Sequence, residues 1–367
     1  MKFDHKRYVP CLRWKQGEYQ AVSRLTAAAA DALTPIIEVP EIGWDFENEE
    51  DAKTLDEHLP EFAPRVKKKW GCTPCFVDGR LLPPGGLMAS GEHAMDYVFN
   101  RLRAEKCKAI PVTGPERAPE YKNAIRRAVR KDGRGMCIRI PLAAAMRASV
   151  KASVRALRTE AEVGYGEAHL VLDMGAPKNF EPMDGLVKAV ARAISNLPHL
   201  DRWASFTLLG TSFPKTMAVV KRGTTALKRY EWLLYRQVCA ESRKAGIRLP
   251  SFGDYAIQHP DIWHVDMRIV RPSASIRYSG DGIWLIVKGK NVRDYKFGQY
   301  RKMCKKVVSS VHFSGRSYSY GDGYIAACAS GTGKTGSLPM WRCVGTNHHL
   351  EKVIEDVAIF YGSASSP

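Results

Sequence analysis

Short apolar runs rich in β-branched residues return along this chain at intervals of about 35 residues, enough for one strand, a loop, an amphipathic helix and a return loop. They lie at 8–14, 35–39, 74–77, 109–112, 136–142, 169–172 and 203–209, with a weaker one at 251–257. Eight such units predict parallel strands closed into a ring. Helical spacing fills the intervals at 18–33, 93–106, 119–131, 184–197 and 224–244. Within 119–131, Ala124, Ile125, Ala128 and Val129 share one face, while Lys122, Arg126, Arg127 and Arg130 fall mostly elsewhere around the cylinder. That is the pattern of an outer helix packed against a sheet. Gly133 and Gly135 then supply the stop before the next strand. An open doubly wound sheet would alternate in the same way, but no G-x-G-x-x-G follows a strand. The expected fold is α/β, a TIM-like (β/α)8 barrel over residues 1–265 with a C-terminal α+β elaboration over 266–367. The elaboration either completes the barrel or forms a small lobe. In it, 259–275 is turn-rich, 283–288 reads as a strand, 295–309 as a basic helix, 324–329 as an apolar run and 350–360 as a last helix.

The 367 residues can bury a large core, and 45% hydrophobic with 26% charged residues places the chain among globular proteins. Lysine and arginine exceed aspartate and glutamate by 18, so the long-range field attracts polyanions: RNA, DNA or an acidic partner. Net charge also serves solubility, and no recognised nucleic-acid module appears. No apolar stretch reaches the ~18 residues of a membrane span, and MKFDHKRYVP lacks the apolar run of a signal peptide, so a cytosolic protein is expected. Nine scattered cysteines include one C-x-x-C, Cys72 and Cys75, without the second pair or histidines that zinc requires. Cys11, Cys75, Cys107 and Cys137 lie in or beside apolar runs, where a thiol behaves as a small hydrophobe.

In a barrel, chemistry belongs at the carboxyl ends of the strands. Lys15, Glu38, Asp78, Arg80, Asp173 and Asp254 are the candidate catalytic residues there, alongside Glu41, Thr113, Arg139, Thr211, Ser212 and His259. Converging carboxylates suit Mg²⁺, and Lys15, Arg80 and Arg139 suit a phosphate, which together describe a metal-dependent phosphoester hydrolase or nuclease. The opposing reading is that these groups neutralise one another in ion pairs. GTGKTG at 331–336 resembles a phosphate loop, but the first glycine would fall at Cys328 and 336–339 starts no evident helix, so a polar loop is expected.

Two further groups are candidates. Between 293 and 306, Tyr295, Phe297 and Tyr300 interleave with Lys296, Arg301, Lys302, Lys305 and Lys306. Aromatics stacking on bases beside cations meeting phosphates suit single-stranded nucleic acid. The alternative is an amphipathic helix with its aromatics in the core and its lysines in water. Farther on, Trp341, Arg342, Asn347, His348 and His349 precede the last helix, with Asp322 and Gln299 as candidate neighbours. Adjacent histidines rarely both face one ligand, which favours surface or structural roles.

The opening YVPCLRWKQGEYQAV, the following LTPIIEVPE, and the later IRYSGDGIWLIVKG and WRCVGTNHHLEKV resemble the phage and phage-satellite beta protein family. The resemblance spans nearly the whole chain. It implies a product of a mobile genetic element, a component of a toxin–antitoxin-like antiphage defence cassette in which the beta protein restrains a toxic gene product. The implied partner is a protein encoded by a neighbouring gene. The family carries no catalytic residues over to this chain, so Lys15, Glu38, Trp341 and His348 enter only as parts of matching motifs.

Overall fold

The computed structural model describes residues 1–261, 266 and 268–362, so part of the turn-rich stretch 259–275 lies outside the described residues. Seven parallel strands follow in chain order: β1 (Cys11–Arg13), β2 (Ile36–Glu38), β3 (Cys75–Asp78), β4 (Ala109–Thr113), β5 (Met136–Pro141), β6 (Ala168–Asp173) and β7 (Ser205–Leu209). After β8 (Gly223–Lys228), which belongs to another sheet, β9 (Ser251–Gly253) pairs in parallel with β7. The backbone N–H groups of Val9 and Cys11 donate to Phe252 O at 2.9 Å and Asp254 O at 2.7 Å, bringing the first and last strands together. The result is the expected (β/α)8-type ring. Because helices cover its outer face and side chains fill its interior, strands such as β3 and β4 are buried at every residue. Period-two alternation is therefore invisible in the sequence, and the strands read as continuous apolar runs.

Inward parity is set by the pleat. Phe76 and His169 meet edge to face at 4.9 Å near the amino ends of β3 and β6, and Phe3 stacks on His169 at 5.8 Å. Two residues on from Phe76, and four from His169, the same faces carry Asp78 and Asp173. One end of the ring is thus aromatic and the other charged. His169 Nδ1 bonds Ser205 Oγ at 2.8 Å, and burial pulls its pKa down to about 3, with minor help from the N-terminal amine and Arg248.

The chain divides into two units interleaved in sequence: Met1–Trp14, Leu33–Gly210 and Leu234–Asp254 form the barrel, and Lys15–Ala32, Thr211–Leu233 and Tyr255–Pro367 form the second. The change of pattern near 260 marks the last entry into the second unit, at Tyr255. In that unit β8, β11 (Ile283–Asn291) and β10 (Ser273–Gly280) form an antiparallel sheet with β11 central. Ala274, Ile276, Tyr278, Leu285 and Val287 face a core shared with the helices Tyr300–Val308, Tyr320–Ser330 and Leu338–Phe360, while Trp284 and Ile286 face a second cluster with Phe213 and Ile257.

Several local expectations need correction. The helix expected over 224–244 splits: Thr224, Thr225 and Leu227 sit in β8, whose alternating exposure is a strand's, and the helix is Tyr230–Lys244. Helical spacing at 18–33 resolves into Gln16–Val22 and Ala27–Ala32. The stretch 336–339 does start a helix, because Ser337 caps Met340 N and Pro339 sits in the first turn, where a missing N–H costs nothing. The terminal helix is therefore 23 residues long, beginning at Leu338 and not at 350. GTGKTG joins two helices, and without a preceding strand the phosphate-loop geometry is absent.

Candidate functional site

Arg139 organises the charged end of the ring. From β5 its Nη1 donates to Glu38 Oε1 at 2.8 Å and to Asp78 Oδ2 at 2.9 Å, while its Nε donates to Asp173 Oδ2 at 2.8 Å. A single guanidinium thus joins carboxylates from β2, β3 and β6, and its own side chain is 3% exposed. Arg80 forks onto Glu38, and Arg117 Nη2 reaches both oxygens of Asp78 at 2.9 Å. Arg13 stands 4.0 Å from Glu38. The loop backbone adds donors: Arg80 N to Asp78 and Gly175 N to Asp173. Burial would raise the Glu38 carboxyl, but the charges and hydrogen bonds of Arg139 and Arg80 outweigh it and hold the pKa at about 2.

The structure therefore brings four of the six candidate mouth residues together: Glu38, Asp78, Arg80 and Asp173. Asp254 is fully buried at the end of β9 and accepts the Tyr8 hydroxyl at 2.6 Å. Lys15 belongs to the other unit, where Glu18 accepts its backbone N–H at the start of Gln16–Val22. The carboxylates do not converge on a cation site. They converge on Arg139, and among the described residues no group of three acidic, histidine or cysteine side chains has metal-holding geometry. A magnesium ion placed among them would face a guanidinium, and a carboxyl held near pKa 2 is no general acid at neutral pH. Sequence reasoning gave Arg139 a subsidiary place and missed Arg13 and Arg117. The register Arg13↔Glu38↔Asp78 holds the missing signal, since residues paired in parallel strands point to the same side.

The basic stretch is a different surface. A 3-10 turn, Phe297–Gln299, leads into the helix Tyr300–Val308, whose buried face is Tyr300, Met303, Cys304 and Val307. Tyr300 stacks on Trp341 at 4.3 Å with rings 4° apart, inside the core. The expectation that Tyr300 offers a stacking surface to bases is thus overturned: helical period carries it inward with the apolar residues. Arg301, Lys302, Lys305 and Lys306 are all exposed. Arg301 donates to Gly331 O, and the three lysine ammonium groups have no ion-pair partner among the described residues.

His348 and His349 lie in the middle of the terminal helix and are fully buried, so neither serves as a helix-start cap. His348 Nδ1 bonds Asp322 Oδ2 at 2.8 Å and its Nε2 bonds Ser279 O at 2.8 Å. Asp322 also accepts the hydroxyls of Tyr278 at 2.7 Å and Ser319 at 2.6 Å. Burial opposes ionisation of Asp322, but these bonds, His348 first, hold its pKa below the usual carboxylate value. His349 Nδ1 pairs with Ser279 Oγ at 2.7 Å. Expected neighbour Asp322 is real, and its partners account for the pair as structural polar groups.

Eight of the nine cysteines are buried and none is joined in a disulfide, and no described helix is long and apolar enough to cross a membrane. Similar solved structures include a tryptophan synthase α-subunit from Pyrococcus furiosus, at 13% identity over 69% of this chain and 89% of that one, TM-score 0.38. A glycoside hydrolase family 5 enzyme from Prevotella bryantii is similar at 7% identity over 71% and 94%, TM-score 0.38. The YdjI aldolase from Escherichia coli is similar at 8% identity over 98% and 93%, TM-score 0.35. No curated protein matches the chain. The family profile described as Beta protein matches residues 8–355, so the resemblance carried by the opening and closing motifs holds across almost the whole length, and the chain belongs to the Beta protein family.

Proposed function

We propose that this chain works by binding an anionic polymer, nucleic acid in the first instance, as a component of a mobile-element antiphage module. The observation that carries the reading is the exposed face of Tyr300–Val308, where Lys302, Lys305 and Lys306 have no ion-pair partner among the described residues, beside Arg301, and no acidic residue interrupts them. A run of unneutralised cations on one helix face, in a protein of net charge +18, suits phosphate contacts that release counterions. With Tyr300 in the core, affinity would come from charge rather than stacking, and sequence preference would be weak. The defence setting, and a neighbouring gene product as the restrained partner, rest on family membership. Metal-dependent phosphoester cleavage is the less supported reading, because the mouth carboxylates are engaged by arginines.

The test is fluorescence anisotropy of a labelled single-stranded oligonucleotide across a salt series. Each neutralised phosphate contributes about 0.7 to the log–log slope, so four contacts predict a slope of about −3. Lys302→Glu, Lys305→Glu and Lys306→Glu together should flatten the slope by about two units without lowering thermal stability. An unchanged slope in the triple variant would remove the reading, and polyglutamate binding more tightly than the oligonucleotide would redirect it to an acidic protein.

A further inference from the structure

Beside the edge strand of the second unit runs a cleft of about 290 Å³, lined by Lys215, Arg277, Arg342, Ser273, Ser275 and the Tyr300–Trp341 pair among others. Strand alternation builds one wall. In β10, Ala274, Ile276 and Tyr278 are buried in the core, and Ser273, Ser275 and Arg277 are less buried and line the cleft. The hydroxyls of Ser273 and Ser275 have no hydrogen-bond partner among the described residues. Lys288 fixes the opposite lip by donating to Met217 O at 2.6 Å and Val220 O at 2.8 Å.

Arg277 is the unusual member. Its Nη1 donates to Ile257 O at 2.8 Å and its guanidinium lies 5.1 Å from the Phe213 ring centre, yet it forms no ion pair among the described residues. Burial first, and then the like charge of Arg342, disfavour its charged form, with weaker opposing attraction from Tyr300 and Glu18. A guanidinium does not shed its proton at accessible pH, and an arriving negative charge would add to the partial relief that Ile257 O and Glu18 already give. Arg342 lines the same cleft, and its Cγ passes 2.3 Å from where a Cβ on Gly17 would stand, so the glycine makes room for its stem.

We propose that this cleft binds a phosphomonoester dianion, with Arg277 and Arg342 as its paired cations and Ser273 and Ser275 as neutral donors. The positive charge of Arg277 and Arg342 beside two hydroxyls matches a dianion with several acceptor oxygens better than a singly charged planar carboxylate. The volume leaves room for a substituent on the phosphate, with Met217, Pro272 and Leu338 as the apolar lining. The inference is independent of the basic-helix reading.

Isothermal titration of the full chain at low ionic strength tests it, with adenosine 5′-monophosphate, adenosine and inorganic phosphate as the three probes. The expected result is saturable binding of the monophosphate, none of adenosine, competition by inorganic phosphate, and at least a tenfold loss of affinity in Arg277→Gln. Circular dichroism checks that variant's fold. Should it fail to fold, Arg342→Gln carries the same expectation. Absence of saturable monophosphate binding, equal binding of adenosine, or wild-type affinity in a folded variant would each overturn the assignment.

Discussion

Arg139 shows how one side chain can decide what a barrel mouth can hold. Three carboxylates at strand ends are a reasonable sequence-level sketch of a magnesium site, and only the position of a fourth residue changes the chemistry. Arg139→Met should remove one cation from among three acidic groups and leave them repelling one another, at a cost of about 3–5 kcal/mol in urea unfolding. Acid sensitivity follows from two groups. Glu38 has its folded pKa, about 2, below its unfolded value of about 4.3, so its contribution is complete above the latter and is lost as pH falls toward 2. His169 is kept neutral in the fold down to about pH 3, whereas the unfolded chain takes up a proton near 6.5, so stability again falls as pH drops through that window. His169→Gln should therefore flatten the unfolding free energy between about pH 6.5 and 4, a comparison made by urea titration at several pH values. The run 169–172 reads as a strand, but it does not say what His169 packs against. Phe3 and Phe76 meet it from distant parts of the chain.

Among elements, the junction between the helix Pro119–Asp132 and β5 separates two roles for glycine. Gly133 caps the helix at φ 59° with open space around it, so alanine there costs about 1 kcal/mol of backbone strain. Gly135, at φ 74°, has a virtual Cβ 1.9 Å from Glu167 O, so Gly135→Ala must also push β5 from the chain that precedes β6. Thermal melts of the two variants should rank Gly135→Ala as the more damaging by a further 1–3 kcal/mol or so. The sequence marks both as stops but does not distinguish them, because the second constraint comes from a residue more than thirty positions away. The same distinction explains 224–244, where apolar spacing fits a helix throughout and pairing with β11 turns Gly223–Lys228 into a strand. It also explains Tyr300, whose place among cations suggested display and whose helical phase put it against Trp341.

For the whole molecule, the excess of 18 positive charges survives the ion pairs of the barrel mouth, where arginines and carboxylates nearly cancel. Calorimetric titration with magnesium should accordingly show no saturable binding that Asp78→Ala or Asp173→Ala removes. What the sequence determined by itself was the repeating strand-and-helix pattern, the ring it implies and the family, since burial of apolar residues at a fixed period needs no knowledge of which units touch. The motifs spread over residues 8–355 could be read in the same linear way. Tertiary structure alone decided which charged groups meet. Glu38, Asp78, Arg139 and Asp173, or Arg277 and Arg342, are separated by tens of residues, and their charges interact by distance in space, which no linear pattern encodes.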